Sequence, residues 1–111
     1  MANPQKRKGD KAELEIARIL HDLTGDNVRR KLGAGRQDDE GDLEGLTETT
    51  AEVKNFADLS RAVREGLADL EREQTNAGTP FGVCFVRRRG GGFIAVMTVE
   101  QGAAWYRAAT A

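Results

Sequence analysis

One cysteine, one histidine and a net charge of −1 are all that 111 residues offer of the features that most quickly assign a protein to a class. A lone cysteine forms no internal disulfide. Cys84, inside the apolar run Gly82-Val83-Cys84-Phe85-Val86, reads as a small core residue in a reducing compartment. His21 has no carboxylate or nucleophile at a catalytic spacing and reads as a helix-surface residue. No apolar run is long enough to span a bilayer and none follows the basic start, so neither a membrane segment nor a signal peptide is expected. A soluble, cytoplasmic protein is expected instead. The near-zero net charge names no partner. There is no internal repeat and no linker that would divide the chain.

Charged residues make up 32% and hydrophobic residues 39%, a balance that fits a folded chain rather than a disordered one. The length supports a single domain with a core of its own. Residues 1–9 have nothing apolar to bury and are expected to form a basic flexible arm, leaving 10–111 as the domain. From Asp10 the pattern turns helical: Ala12, Ile16, Ala17, Ile19, Leu20 and Leu23 share one face, Lys11, Glu15, Arg18 and Asp22 the other, and Gly25 ends the helix. A strand over Asn27–Leu32 leads into the polar loop GAGRQDDEG, followed by short strands over Asp42–Leu46 and Thr50–Asn55. A second helix over Asp58–Asn76 is expected to bury Leu59, Val63, Leu67 and Leu70, with Gln74 continuing the stripe. Strands over Gly82–Arg88 and Phe93–Val99 close around Gly90, Gly91 and Gly92, and Glu100–Ala109 forms a last helix. The expected order is αβββαββα, an α/β chain.

Within this frame the charges are not evenly spread. Lys6, Arg7, Lys8 and Lys11 form one basic cluster, Arg29, Arg30 and Lys31 a second, and Arg87, Arg88 and Arg89 a third. Such clusters line anionic ligands such as nucleic acid, although a solvated face accounts equally well for any one of them. In Ala51-Glu52-Val53-Lys54-Asn55-Phe56, Glu52 and Lys54 lie two residues apart on a strand and so share a face. A surface ion pair satisfies that geometry; so does a site holding a metal and a reacting oxygen. If an antiparallel hairpin turns near Thr47, Asp42 stands directly opposite Glu52, while Leu43, Ala51 and Val53 offer an apolar surface to a helix. Like charges facing each other across a sheet destabilise it, which invites a cation. Glu13 sits in the middle of the apolar face of the first helix. It either closes a capping box with Asp10 or supplies a third carboxylate, and the company of Asp42 and Glu52 favours the second role.

Lys8-Gly9-x-x-x-Glu13, the Gly33-Ala34-Gly35 loop, Gly41-Asp42 and, after nine intervening residues, Glu52-Val53-Lys54 resemble the PD-(D/E)XK nuclease superfamily. Within it the pattern is most similar to the small archaeal-type Holliday-junction resolvases and their phage-encoded relatives, over roughly residues 8 to 99 in element order. Gly41 stands where that family usually has proline. The resemblance implies a restriction-endonuclease-like fold with a central mixed β-sheet flanked by helices. It also implies a Mg²⁺-dependent endodeoxyribonuclease, a homodimer that resolves four-way DNA junctions in recombination or repair, in the bacterial host cytoplasm if phage-encoded. Asp42 and Glu52, joined by Glu13 and the backbone carbonyl of Val53, would bind Mg²⁺, for which Mn²⁺ substitutes. Lys54 would orient the attacking water or stabilise developing charge.

Lys6, Arg7, Lys8, Lys11, Arg30, Lys31 and Arg36 are suited to DNA phosphates, contacts that position a duplex without reading its sequence. Asp38, Asp39, Glu40 and Glu44 read as solvated loop charges, Gln74 as a satisfied buried amide, and Trp105 and Tyr106 as a cap on the core or a dimer contact. Two other functions fit the same residues: a repair, replication or restriction nuclease acting on flaps, ends or duplex DNA, and a non-catalytic DNA-binding subunit. The presence together of Glu13, Asp42, Glu52 and Lys54 argues against the latter.

Overall fold

Residues 3–32 and 39–111 are described by a computed structural model of the chain, the Gln5 side chain excepted. The Gly33-Ala34-Gly35 loop, Arg36 and Asp38 lie outside the described residues. In chain order the elements are α1 (Pro4–Thr24), β1 (Arg29–Arg30), β2 (Leu43–Glu44), β3 (Thr49–Lys54), α2 (Leu59–Ala77), β4 (Phe81–Arg87), β5 (Phe93–Val96) and α3 (Val99–Ala109). This is the order expected from the sequence.

The first helix starts earlier than its apolar pattern suggests. Proline is well tolerated in a first helical turn, and the Asn3 carbonyl accepts the Arg7 N–H at 3.0 Å, so the basic segment winds into α1 instead of forming an arm. Asp10 is therefore inside the helix, and the Asp10–Glu13 capping box does not exist. Among the described residues the capping box is at α3, where Thr98 and Gln101 bond each other's backbone N–H. At the other end of α1, Leu23 is 78% exposed and drops off the expected apolar face.

A three-stranded sheet of order β3-β4-β5 forms the centre. β3 and β4 run parallel, as strands joined by the crossover helix α2 can, while β4 and β5 form an antiparallel hairpin. Residues alternate across the sheet, so each strand faces two helices. Ala51, Val53, Val83 and Phe85 pack on Ala12, Ile16 and Ala17 of α1, together with Val28 and Leu43. Cys84 and Val86 pack on Ala62 and Leu70 of α2. Each fully buried side chain of Leu or Val size contributes about 1.5–3 kcal/mol. Along α2 the buried stripe is Ala62, Gly66, Leu70 and Glu73, and Leu59 is 47% exposed. The helix is thus rotated from the expected face, with Glu73 in the position expected of Gln74. On the far side, Trp105 of α3 stacks on Phe81 with ring centroids 4.6 Å apart, capping the core, and Tyr106 is exposed.

The expected ladder between 42–46 and 50–55 does not form. β2 pairs instead with β1, Arg30 opposite Leu43, and the chain turns back through Glu48, whose φ of 54° is left-handed. No described helix is long and apolar enough to cross a membrane.

Candidate metal centre

β3 is an edge strand, and the Val53 N–H points out of that edge. Asp42 occupies the place a neighbouring strand would take. Its N–H donates to the Ala51 carbonyl at 2.8 Å, and its Oδ2 accepts the Val53 N–H at 2.8 Å. Gly41 allows this approach: its φ is +108°, and a Cβ there would lie 3.0 Å from the Ala51 carbonyl oxygen. Proline, fixed at negative φ, cannot take that conformation. A strand residue presents its N–H and C=O to the same side. The Val53 carbonyl, expected as a ligand, therefore faces the Asp42 edge.

Glu52 and Lys54 lie on the face of β3 that looks at α2. Gly66 brings the helix close, since a Cβ on it would sit 2.4 Å from Cys84 Sγ and 3.2 Å from Lys54 Cγ. Farther along the same helix face, Asp69 and Glu73 stand four residues apart, one turn of helix. Carboxylate oxygens of Glu52, Asp69 and Glu73 all lie within 4.8 Å of one another. Lys54 Nζ donates to Asp69 Oδ2 at 2.6 Å and lies 3.8 Å from Glu52 Oε2. Glu73 is 1% exposed, and its Oε1 is buried without a hydrogen-bond partner.

These carboxylates are crowded and dry, which favours their protonated forms. Burial, followed by proton sharing with Glu52 and the Glu52 charge, pushes Asp42 up to about 9. Burial, reinforced by Glu73 and opposed by the hydrogen bond with Asp42, pushes Glu52 up to about 8. Burial and the charges of Asp42, Asp39 and Asp69 carry Glu73 to about 7, against its hydrogen bond with Glu52. Burial works against the Lys54 ammonium, yet the Asp69 hydrogen bond and the charges of Glu52, Asp69 and Asp42 hold its pKa above the ordinary lysine value. A divalent cation would replace those protons. The donor set is all oxygen, which suits Mg²⁺, and the orphaned Glu73 Oε1 is the kind of atom an ion completes.

Of the expected site residues, Asp42, Glu52 and Lys54 come together; Glu13 is engaged elsewhere. Arg30 Nε donates to Glu13 Oε1 at 2.9 Å and its Nη2 to Asp10 Oδ1 at 2.7 Å, clamping β1 to α1. Glu13 remains close enough to feel the centre: burial first, then the Asp42 charge, raises its pKa against the pull of Arg30. Arg30, expected to contact DNA, is half-buried in that clamp. Lys6 pairs with Asp10 at 3.0 Å, a hydrogen bond that holds Asp10 below the usual carboxylate range, and Lys31 pairs with Glu40 at 3.5 Å. Arg7, Lys8 and Lys11 are exposed.

Asp39, expected in solvent, is 7% exposed and accepts the Gly41 N–H at 2.8 Å, fixing the turn that delivers Asp42. Glu40 and Glu44 are exposed, as expected. Gln74 is a satisfied amide away from the centre, donating to the Thr79 carbonyl at 3.1 Å and accepting from Gln101 at 3.3 Å. Sequence reasoning missed Asp69 and Glu73. The available signal was the placement of two acids four apart on the helix flank adjoining Gly66 and Leu70. Searches against family models, curated proteins and solved structures return no match for this chain.

Proposed function

We propose that this chain is a metal-dependent DNA endonuclease acting on four-way junctions as a homodimer. The observation that carries the chemistry is the convergence of Glu52, Asp69 and Glu73, with the Lys54 ammonium beside them and one buried carboxylate oxygen left without a partner. Glu52, Asp69 and Glu73 would hold the ion, with Asp42 beside Glu52. A divalent cation there supplies Lewis acidity toward a phosphodiester and a nucleophilic water at neutral pH.

The chain's own residues then have separable roles. Asp42 is oriented by the Val53 N–H, so its carboxylate does not have to be ordered when substrate arrives. Lys54 is kept cationic and pointed by Asp69, ready to stabilise negative charge that builds on a phosphoryl oxygen. Asp69 thereby acts as a positioning residue for Lys54. The preference for junctions and the dimer rest on the sequence resemblance.

Cleavage of a mobile four-way junction, a flap and a linear duplex, compared in Mg²⁺ and in EDTA, tests this reading. The expected result is metal-dependent cleavage with the junction cut fastest. Flap or duplex cut faster would move the substrate while leaving the chemistry intact. The absence of hydrolysis of all three in both Mg²⁺ and Mn²⁺ would defeat the nuclease reading.

A further inference from the structure

A second feature lies beside the acidic centre and has the opposite charge. The start of α1 and the β4–β5 turn enclose an open cleft of about 510 Å³, floored by Asn55 and Phe56. The wall on the hairpin side is tied to α1 by Arg87, whose Nε donates to Glu15 Oε1 at 3.0 Å and whose Nη1 donates to the Arg88 carbonyl at 2.7 Å. That leaves Lys8 and Lys11 on one wall and Arg88 and Arg89 on the other, four cations with no ion-pair partner among the described residues. In a chain whose net charge is −1, four uncompensated cations around one cleft are a local concentration of positive potential.

The cleft and the metal centre lie on the two sides of Phe56. Lys54, Asn55 and Phe56 are consecutive, the Lys54 ammonium lies 5.5 Å from the Phe56 ring centroid, and the same ring lines the cleft. An extended polyanion passing Lys54 is thus led over Phe56 to the four cations. A small anion would use only part of this opening, whereas spaced phosphates use both walls. Without an ion the acidic centre offers a phosphate no cation except Lys54, which is already paired with Asp69, so attraction for substrate has to come from elsewhere on the surface.

We infer that this cleft binds the DNA phosphate backbone flanking the scissile phosphate, with Lys8, Lys11, Arg88 and Arg89 as its contacts. The inference rests on the nuclease reading for what happens at the neighbouring centre, but not for binding itself. Arg88 and Arg89 join Lys8 and Lys11 in holding the backbone, and Arg30 has no part in it.

The test is duplex DNA affinity measured by fluorescence anisotropy across a salt series in EDTA, where no cleavage occurs. Arg88→Ala/Arg89→Ala and Lys8→Ala/Lys11→Ala are each expected to reduce the slope of log affinity against log salt by about two. That corresponds to roughly 0.9 for each phosphate that the variant no longer neutralises. Melting temperatures should match wild type, and Arg29→Ala, outside the cleft, should leave the slope unchanged. Wild-type slopes in both double variants would overturn the inference. Inorganic phosphate at constant ionic strength should not displace the duplex; displacement that the double variants abolish would overturn the backbone track in favour of a small-anion site. A wild-type protein that binds with the expected slope and cleaves no DNA would reject the nuclease reading and keep the cleft. Cleavage with unaltered slopes would do the reverse.

Discussion

The two faces of β3 come from alternating residues of one strand and are opposites in energy. Ala51 and Val53 face α1 in an apolar cluster, where burial is favourable whatever the pH. Glu52 and Lys54 face α2 among Asp69 and Glu73, where burial is costly unless protons or a cation neutralise the carboxylates. The first face holds the sheet together. The second is held in place by the first and is free to be optimised for something other than stability.

Breaking the charged face should give the largest effect. Asp42→Asn and Glu52→Gln are each expected to lower cleavage by about 10²–10³-fold, a range typical when charge stabilisation in the transition state is removed. Junction binding in EDTA should stay within about twofold, because each change removes little surface; an electrophoretic shift assay beside the cleavage assay checks both halves.

Glu73→Gln should separate ion binding from folding. It removes a buried charge whose Oε1 has no hydrogen-bond partner and whose Oε2 has only a long ion pair with Arg72 at 3.8 Å, so stability in EDTA, read from urea unfolding, should rise by about 1–3 kcal/mol at pH 9. The Mg²⁺ concentration giving half-maximal cleavage should rise by about tenfold. A variant less stable than wild type at high pH would mean that the lone Oε1 has a partner in solution.

The charged face also predicts a pH dependence for the metal-free protein. Asp42, Glu52 and Glu73 are raised from 3.8, 4.5 and 4.5 to about 9, 8 and 7. The native state therefore keeps protons that the unfolded chain has already released, and ∂ΔG/∂pH is negative over that window. The contribution of these groups to stability is whole below about pH 4 and is lost as the pH rises to about 9. Saturating Mg²⁺ should flatten the curve, since the ion takes the place of the protons, and binding at neutral pH should release protons measurable in buffers of different ionisation enthalpy.

On the apolar face, Val53→Ala should cost about 2 kcal/mol at every pH, the value of two buried methyl-sized groups, without changing the shape of the pH curve. The smallest effect is expected at Glu13→Gln. Its carboxylate is held by Arg30 rather than by the centre, so stability should shift by no more than about 1 kcal/mol. The Mg²⁺ dependence of cleavage should stay within about twofold of wild type; a much larger shift would return Glu13 to the ligand set.

The order of elements was legible because turn residues and apolar periodicity are local signals. The approach of Asp42 to Glu52 was legible from the turn near Thr47, even though one backbone bond and one carboxylate bond make the junction in place of a full ladder. The rotation of α2 was not legible. Leu59, Val63 and Leu67 suggest one buried face, whereas the close approach at Gly66 turns another inward and brings Glu73 with it. Periodicity ranks side chains by hydropathy and is blind to the backbone distance that a missing Cβ permits. Arg30 was likewise misjudged, because a guanidinium bound for two carboxylates of its own chain looks in sequence like one offered to DNA.

The packing of Gly66 on Cys84 has one more consequence. The thiol is fully buried, pushed up to about 12 chiefly by burial, and lies directly beneath the helix that carries Asp69 and Glu73. An alkylating reagent reaches it only when α2 lifts from the sheet, so the rate of thiol labelling counts those openings. The chain thus carries a built-in clock for the motion that would dismantle its acidic cluster, readable by mass spectrometry without any introduced label.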